Sequence, residues 1–329
     1  MVRLSRSEDL KRLPISVIIP VHEEFDAVKV LLNRLSDLNP KPSEVLFVLT
    51  GKSVLMGQWI GGWVSANQDN GLSCRIYYHP GAYPGTARNK GIRSASQEWI
   101  AFLDTGLSPA TNWLGELWEF KELYRINAVY GTCYFRSDDV IGRMVCVLSY
   151  GLGKQRHVLP ASLFHRSVLR IVGSFKEQLR SGEDILWNRA LKDRMIPFGI
   201  CWDAKTEYTF FPKTLGEAMK KYFIYEQSAT AAGLGGHLKT IFYLSLLVVC
   251  GLVVSGSLIG VYIFLIYLIL RGVIDPIRRS NIFPWWCKWW QPVLILPVAL
   301  LLDLSAAIGR VFTLIGVGKF RAISSRPLL

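Results

Sequence analysis

The sequence predicts an α/β fold, a mixed, mainly parallel sheet with helices on both faces, followed by C-terminal membrane helices. Three observations predict it. Apolar, β-branched runs without alternation, at residues 15–20, 44–49 and 99–103, read as strands covered on both faces. Helical patterns stand between such runs, as crossovers between parallel strands require. Residues 241–270 carry no charged side chain, a length that meets a bilayer.

Residues 15–20 form the first strand, ended by Pro20, with residues 21–24 as the loop at its carboxyl end. Val28, Leu31, Leu32 and Leu35 give residues 26–38 a helical stripe, which Pro40 and Pro42 stop. Residues 44–49 are the second strand and residues 50–53 its turn. The Gly- and Asn-rich residues 54–71 hold at most a short helix over 59–63, and residues 74–78 are the third strand. The chain is organised around residues 85–106. Thr86 is the expected N-cap of a helix over 87–95, residues 99–103 are the fourth strand, and Asp104 lies at its carboxyl end, where open α/β sheets bind ligands. A helix over 116–124, a strand over 128–135, a mobile glycine-rich stretch at 151–153 and a strand and turn over 161–166 follow. Gly182 opens a helix over 185–193 with Glu183 and Asp184 at its N-terminus, where the dipole and free N–H groups favour acids. By themselves these acids read first as an ordinary helix start, with a reacting pair as the alternative.

Thr50-Gly-Lys-Ser53 has the ending of a phosphate-cradling loop. The glycine such a loop needs five residues before Gly51 is here Leu46, inside the strand, so no length remains to wrap a phosphate.

The formal net charge is +13, and residues 271–329 hold eight Lys/Arg against Asp275 and Asp303. A basic tail beside an apolar segment suits an anionic membrane surface and argues against a nucleic-acid partner. Cys74, Cys133, Cys146, Cys201, Cys250 and Cys287 form no CxxC pair, which points to reduced thiols rather than a disulfide framework or a zinc site. The N-terminal residues 1–14 are charged and lack an apolar core, unlike a signal peptide, so the front of the chain is expected in the cytosol.

Seven segments carry a resemblance: SVIIPVHEE (16–24), EVLFVLTG (44–51), ARNKGIRSA (87–95), WIAFLDTG (99–106), LFHRSVLRIVGSF (163–175), RSGEDILWNRAL (180–191) and TLGEAMKKYFIYEQSATAAGL (214–234). In this order and spacing they resemble family 2 glycosyltransferases, inverting enzymes with the nucleotide-sugar-binding GT-A fold, in a membrane-anchored subgroup. The resemblance implies a cytosolic GT-A domain over residues 1–235 and a membrane-associated region over 236–329. It implies Asp184 as the base that takes the acceptor hydroxyl's proton, with Glu183 in support. Nucleotide-sugar contacts are implied at Pro20, His22, Glu24, Thr50, Arg88, Asp104 and Gly106, and diphosphate contacts at Lys220 and Lys221. Trp187 is read either as core or as an acceptor platform. His79, His157, His165 and His237 have no metal-ligand spacing. Where the family has Asp-x-Asp, this chain has Asp104-Thr105-Gly106; Asp104 alone carries over as a metal ligand. A lone carboxylate is a poor Mg2+ or Mn2+ site, which leaves a divalent metal open. Specificity is expected in loops at 106–112 and 136–162.

Residues 238–274 form either one long span or a hairpin broken at residues 255–257. The hairpin keeps Lys239, Arg271, Arg278 and Arg279 on one side, which the positive-inside rule favours. Residues 275–291 are a basic linker whose tryptophans, from Trp285 to Trp290, suit an interfacial belt. Residues 292–318 form an interfacial or membrane helix with Asp303 and Arg310 on one inward face. The expected function is transfer of a sugar from a nucleotide-diphosphate donor to a lipid-linked or polysaccharide acceptor at the cytoplasmic membrane face, in cell-envelope polysaccharide biosynthesis. The alternative is a non-catalytic nucleotide-sugar or glycan-binding scaffold of a polysaccharide-assembly complex.

Overall fold

The computed structural model describes residues 12–67 and 72–317; most of the charged N-terminal segment, residues 68–71 and the basic residues beyond 317 lie outside them. In chain order the elements are β1 (Arg12–Val21), α1 (Phe25–Ser36), β2 (Lys41–Leu49), α2 (Val54–Ala66), β3 (Ser73–Tyr78), α3 (Pro84–Ser94), β4 (Trp99–Phe102), β5 (Leu107–Pro109), α4 (Trp113–Tyr124), β6 (Ala128–Phe135), α5 (Val140–Ser149), β7 (Gln155–His165), α6 (Arg166–Val172), α7 (Glu183–Asp193), β8 (Gly199–Tyr208), α8 (Leu215–Ala231), α9 (Gly236–Val254), α10 (Leu258–Ile269), α11 (Asp275–Arg279) and α12 (Gln291–Leu314), with a π turn (Leu270–Ile274) joining α10 to α11. They fall into two compact units: residues 12–134, 155–178 and 183–208, and residues 135–154, 179–182 and 209–317.

The first unit is built on one sheet of order β3-β2-β1-β4-β7-β6-β8-β5. Its first half is parallel: β1 lies between β2 and β4, and β2 pairs with β3. β7 then pairs antiparallel with β4 and β6, and β5 with β8. The core strands are the ones whose sequences do not alternate; Ile15, Val17, Ile18 and Ile19 are all fully buried, as helices on both faces demand. On α1, Val28, Leu31, Leu32 and Leu35 are buried at helical spacing. A cluster of Ile18, Phe102, Phe164, Phe175, Trp187 and Leu191 packs sheet against α7.

Several local expectations change. The helix of the organising stretch begins at Pro84, whose fixed φ and missing N–H suit the first helical position. Thr86 is therefore inside the first turn, and its hydroxyl donates to the Glu177 carbonyl (3.0 Å) instead of capping. Pro42 lies within β2 rather than beyond a helix stop, and α2 covers thirteen residues where only a short helix was expected. Residues 136–162 are not an open loop, because they hold α5 and most of β7. On α5, Gly142 and the residues from Met144 to Leu148 are buried, so it lacks the polar face that betrays a helix in a sequence.

In the second unit the apolar run is two helices, α9 and α10, separated at residues 255–257, where Gly256 has φ +79° and the Ser257 hydroxyl caps α10 by accepting from Gly260 N (3.4 Å). Among the described residues three segments are long and apolar enough to cross a membrane: Gly236–Val254, Leu258–Arg279 and Gln291–Leu314. Asp303 and Arg310 on α12 are both buried, but each meets a different partner. Asp303 accepts from Arg271 Nε (2.8 Å) and the Tyr267 hydroxyl (3.0 Å). Arg310 donates to Glu226 Oε1 on α8 (2.6 Å) and to the Thr240 hydroxyl on α9 (2.8 Å). Of the linker tryptophans, Trp289 is exposed, while Trp285 is buried and its carbonyl accepts from Arg143 Nε (2.6 Å); Trp285 thus belongs to the unit's packing rather than to a belt.

Candidate active site

The carboxyl ends of the parallel strands gather several of the residues singled out in the sequence. Thr50, one residue past β2, donates its hydroxyl to the Val21 carbonyl at the end of β1 (3.0 Å), and His22 Nδ1 lies 3.3 Å from the Thr50 hydroxyl oxygen. Pro20 pairs in register with Val48. Glu23 and Glu24 are exposed at the start of α1. The Glu23 carboxylate accepts from the backbone N–H groups of Lys52 (2.7 Å) and Ser53 (3.2 Å). Those amides belong to the Gly-Lys-Ser turn, so a protein carboxylate already holds the groups that a phosphate loop would offer to an anion.

Arg88 is the centre of the site. It lies on α3, which presents Ala87, Arg88 and Gly91 to the interior, and it is 2% exposed. Its Nη2 donates to Asp104 Oδ1 (2.8 Å), and its Nη1 to Glu183 Oε1 (2.5 Å). One guanidinium thus joins the end of β4 to the start of α7, a geometry suited to its rigid fork of donors. Burial would push the Arg88 guanidinium down; the charges of Asp104, Glu183 and Asp184 reverse this and hold it protonated. Its buried Nε has no hydrogen-bond partner.

Glu183 is buried, and Asp184 beside it is partly exposed. The Asp184 carboxylate accepts from its own helix through Ile185 N (2.8 Å). Burial pushes the Glu183 carboxyl above the ordinary value, against the opposing charge of Arg88, and Asp184 adds to the rise. Asp184 is likewise raised, by burial first, with Arg88 opposing and Asp104 reinforcing. Tyr130 on β6 donates to Asn188 on α7 (2.6 Å), and its hydroxyl is pushed up by burial and by the charge of Asp184. A carboxylate raised in this way is a better proton acceptor than an ordinary aspartate.

Trp187 is core: it is 3% exposed, stacks on Phe175 with ring centroids 5.2 Å apart, and donates Nε1–H to the Gly173 carbonyl (2.9 Å). Lys220 and Lys221 lie on α8 of the second unit, with the Lys221 ammonium 5.4 Å from the centre of the Tyr225 ring. The bridging by Arg88 was not read from the sequence, although an arginine spaced i, i+3 with Gly91 on the small-residue face of α3 was its available signal.

The residues present do not fit a divalent metal. Among the described residues no three His, Cys, Asp or Glu side chains converge as ligands. Asp104 Oδ1 is already bound by Arg88. A Cβ at Gly106 would stand 2.5 Å from Cε2 of Tyr208, so the space of a second acid is filled by an aromatic ring.

A parallel half, an antiparallel second half and an acid pair opening α7 make up a fold of the GT-A type. Residues 16–165 match the family model described as glycosyl transferase family 2. It is 27% identical to glycosyltransferase AglE of Haloferax volcanii over 221 residues, which cover 64% of this chain and 70% of that protein. Its fold is similar to that of the mannosyltransferase PcManGT from Pyrobaculum calidifontis, solved in complex with GDP-Man and Mn2+, with a TM-score of 0.57 at 16% identity over 92% of this chain and 88% of that one.

Proposed function

We propose that the protein is an inverting hexosyltransferase, which moves a sugar from a nucleotide-diphosphate donor to a lipid-linked or polysaccharide acceptor at the cytoplasmic membrane face. The observation that carries the reading is the Arg88 bridge, because it fixes the helix start bearing Asp184 to the strand end bearing Asp104. Asp184 takes the proton of the acceptor hydroxyl as that oxygen attacks the anomeric carbon. The bond from this carbon to the diphosphate breaks on the opposite face, and the nucleoside diphosphate leaves with the electron pair. Asp184 then returns the proton to solvent. Glu183, held by Arg88, orients the helix start. Pro20, His22, Glu24, Thr50, Asp104 and Gly106 are assigned to the donor, with Arg88 acting through Asp104. Lys220 and Lys221 are assigned to the leaving diphosphate, on the resemblance of their segment.

Three apolar helices support membrane anchoring, and an anchored enzyme favours an acceptor confined to the same surface. Arg271, Arg278 and Arg279 follow α10, and Lys239 opens α9, which supports a cytoplasmic position for this side of the hairpin. The complex of PcManGT makes GDP-Man the first donor to try.

In purified membranes Asp184→Asn should lower donor-dependent transfer by at least about a hundredfold, the scale of a lost general base. Transfer that survives the substitution would sink the assignment. The filling of the Gly106 position by Tyr208 favours a second reading, a scaffold that binds nucleotide-sugar without turning it over. Binding of donors with no transfer in a full donor and acceptor panel would favour it.

A further inference from the structure

At Asp104 and Gly106, the places from which acids would reach a bound cation, two side chains stand instead. Arg88 Nη2 lies 2.8 Å from Asp104 Oδ1, and the guanidinium is 2% exposed with its other arm on Glu183. A cation bound to Asp104 would sit against a group that cannot lose its proton and cannot swing away. At Gly106 the obstacle is steric. Pairing of β5 with β8 sets Leu107 opposite Tyr208, and this register lays the tyrosine ring over the Gly106 Cα. Any side chain at 106 needs that ring to move. A Mg2+ or Mn2+ ion on a nucleoside diphosphate is held by one or two carboxylates beside phosphate and water oxygens, and the one carboxylate here is already paired with Arg88.

We propose that the enzyme binds the nucleoside diphosphate of its donor without a divalent cation, with Arg88 as the fixed counter-charge of Asp104 and the Tyr208 ring in the space of a second acid. The inference rests on the donor reading above and deepens it. Charge compensation on the strand-end side is then built into the fold. Arg88 is a positioning residue in this scheme, since its buried guanidinium reaches Asp104 and Glu183 rather than the donor. Three carboxyl groups share one guanidinium, and burial raises both Glu183 and Asp184 above their ordinary values.

The test is calorimetry on the full chain in detergent, titrated with GDP and with UDP, once in EDTA and once in excess Mn2+. We expect at least one nucleotide to bind with dissociation constants that agree within about threefold between the two conditions, which is under a kcal/mol. Binding more than about threefold tighter in Mn2+ overturns the inference and leaves the donor reading intact. Failure of both nucleotides to bind in either condition overturns the donor reading, and the inference falls with it. A double variant, Gly106→Asp with Tyr208→Ala, supplies both acid and space and should make the affinity depend on Mn2+. A folded double variant, checked by its thermal transition, that stays as indifferent to Mn2+ as the wild type would overturn the steric argument.

Discussion

Arg88 shows how one residue can set the protonation of its neighbours. Its guanidinium lowers Glu183 and Asp184, yet burial outweighs it and both carboxyls end above their ordinary values. The consequence for pH has a definite sign. A carboxyl whose value is higher folded than unfolded contributes stability below its unfolded value, and that contribution is lost as pH rises through its folded value. In the proposed reaction catalysis runs the other way, because Asp184 must be ionised to accept a proton. The acid limb of the kcat profile should therefore lie above the ordinary aspartate value of about 3.9. The limb belongs to the Glu183–Asp184 pair as a unit. A profile that stays flat down to the ordinary aspartate range would show that Asp184 is not held as described.

At the level of elements, the chain is tied down just before α7. Residues 179–182 belong to the second unit, where Ser181 N donates to the Ser228 hydroxyl on α8 (3.0 Å) and Ser228 returns a bond to the Ser181 carbonyl (2.9 Å). Gly182 then turns the chain with φ +89°, and a Cβ there would meet Leu234 Cδ1 at 2.6 Å. Glu183 is the next residue in the chain. Gly182→Ala should cost about 1–2 kcal/mol from the left-handed backbone alone, read as a lower thermal midpoint in detergent. Because the substitution displaces the acid pair rather than the donor loops, kcat should fall while the affinity for nucleotide stays near that of the wild type. An unchanged midpoint and kcat would mean that the turn adapts freely.

Across the whole molecule, buried ion pairs hold the apolar helices to the rest of the second unit. Asp303 is joined to Arg271, and Arg310 to Glu226. A charge inside an apolar span is costly unless it faces a partner within the protein, and both of these do. The turn at residues 255–257 carries no charge, whereas Lys239 and Arg278 flank the open end of the hairpin. If the proposed orientation holds, a cysteine at Gly256, in a chain with Cys250 and Cys287 replaced by serine, is labelled by an impermeant maleimide added outside intact cells. Labelling of Gly256→Cys only after the membrane is opened would reverse the orientation.

The sequence alone determined the parallel half of the sheet, since β-branched runs such as residues 15–20 can be satisfied only by burial on both faces. It also determined the apolar C-terminal helices and placed Asp104 and the Glu183–Asp184 pair at element ends, because hydrophobic period and helix-start chemistry are local properties. It did not reveal α5, in which no residue is exposed, or β8, in which Cys201, Ala204 and Thr206 are the buried positions. Only the tertiary structure decided that Arg88 joins two carboxylates 16 and 95 residues away, that Trp187 is core, and that Tyr208 fills the space above Gly106. The physical reason is that charge pairing and steric exclusion depend on which distant residues share a few ångströms, and strand register, not local sequence, sets that.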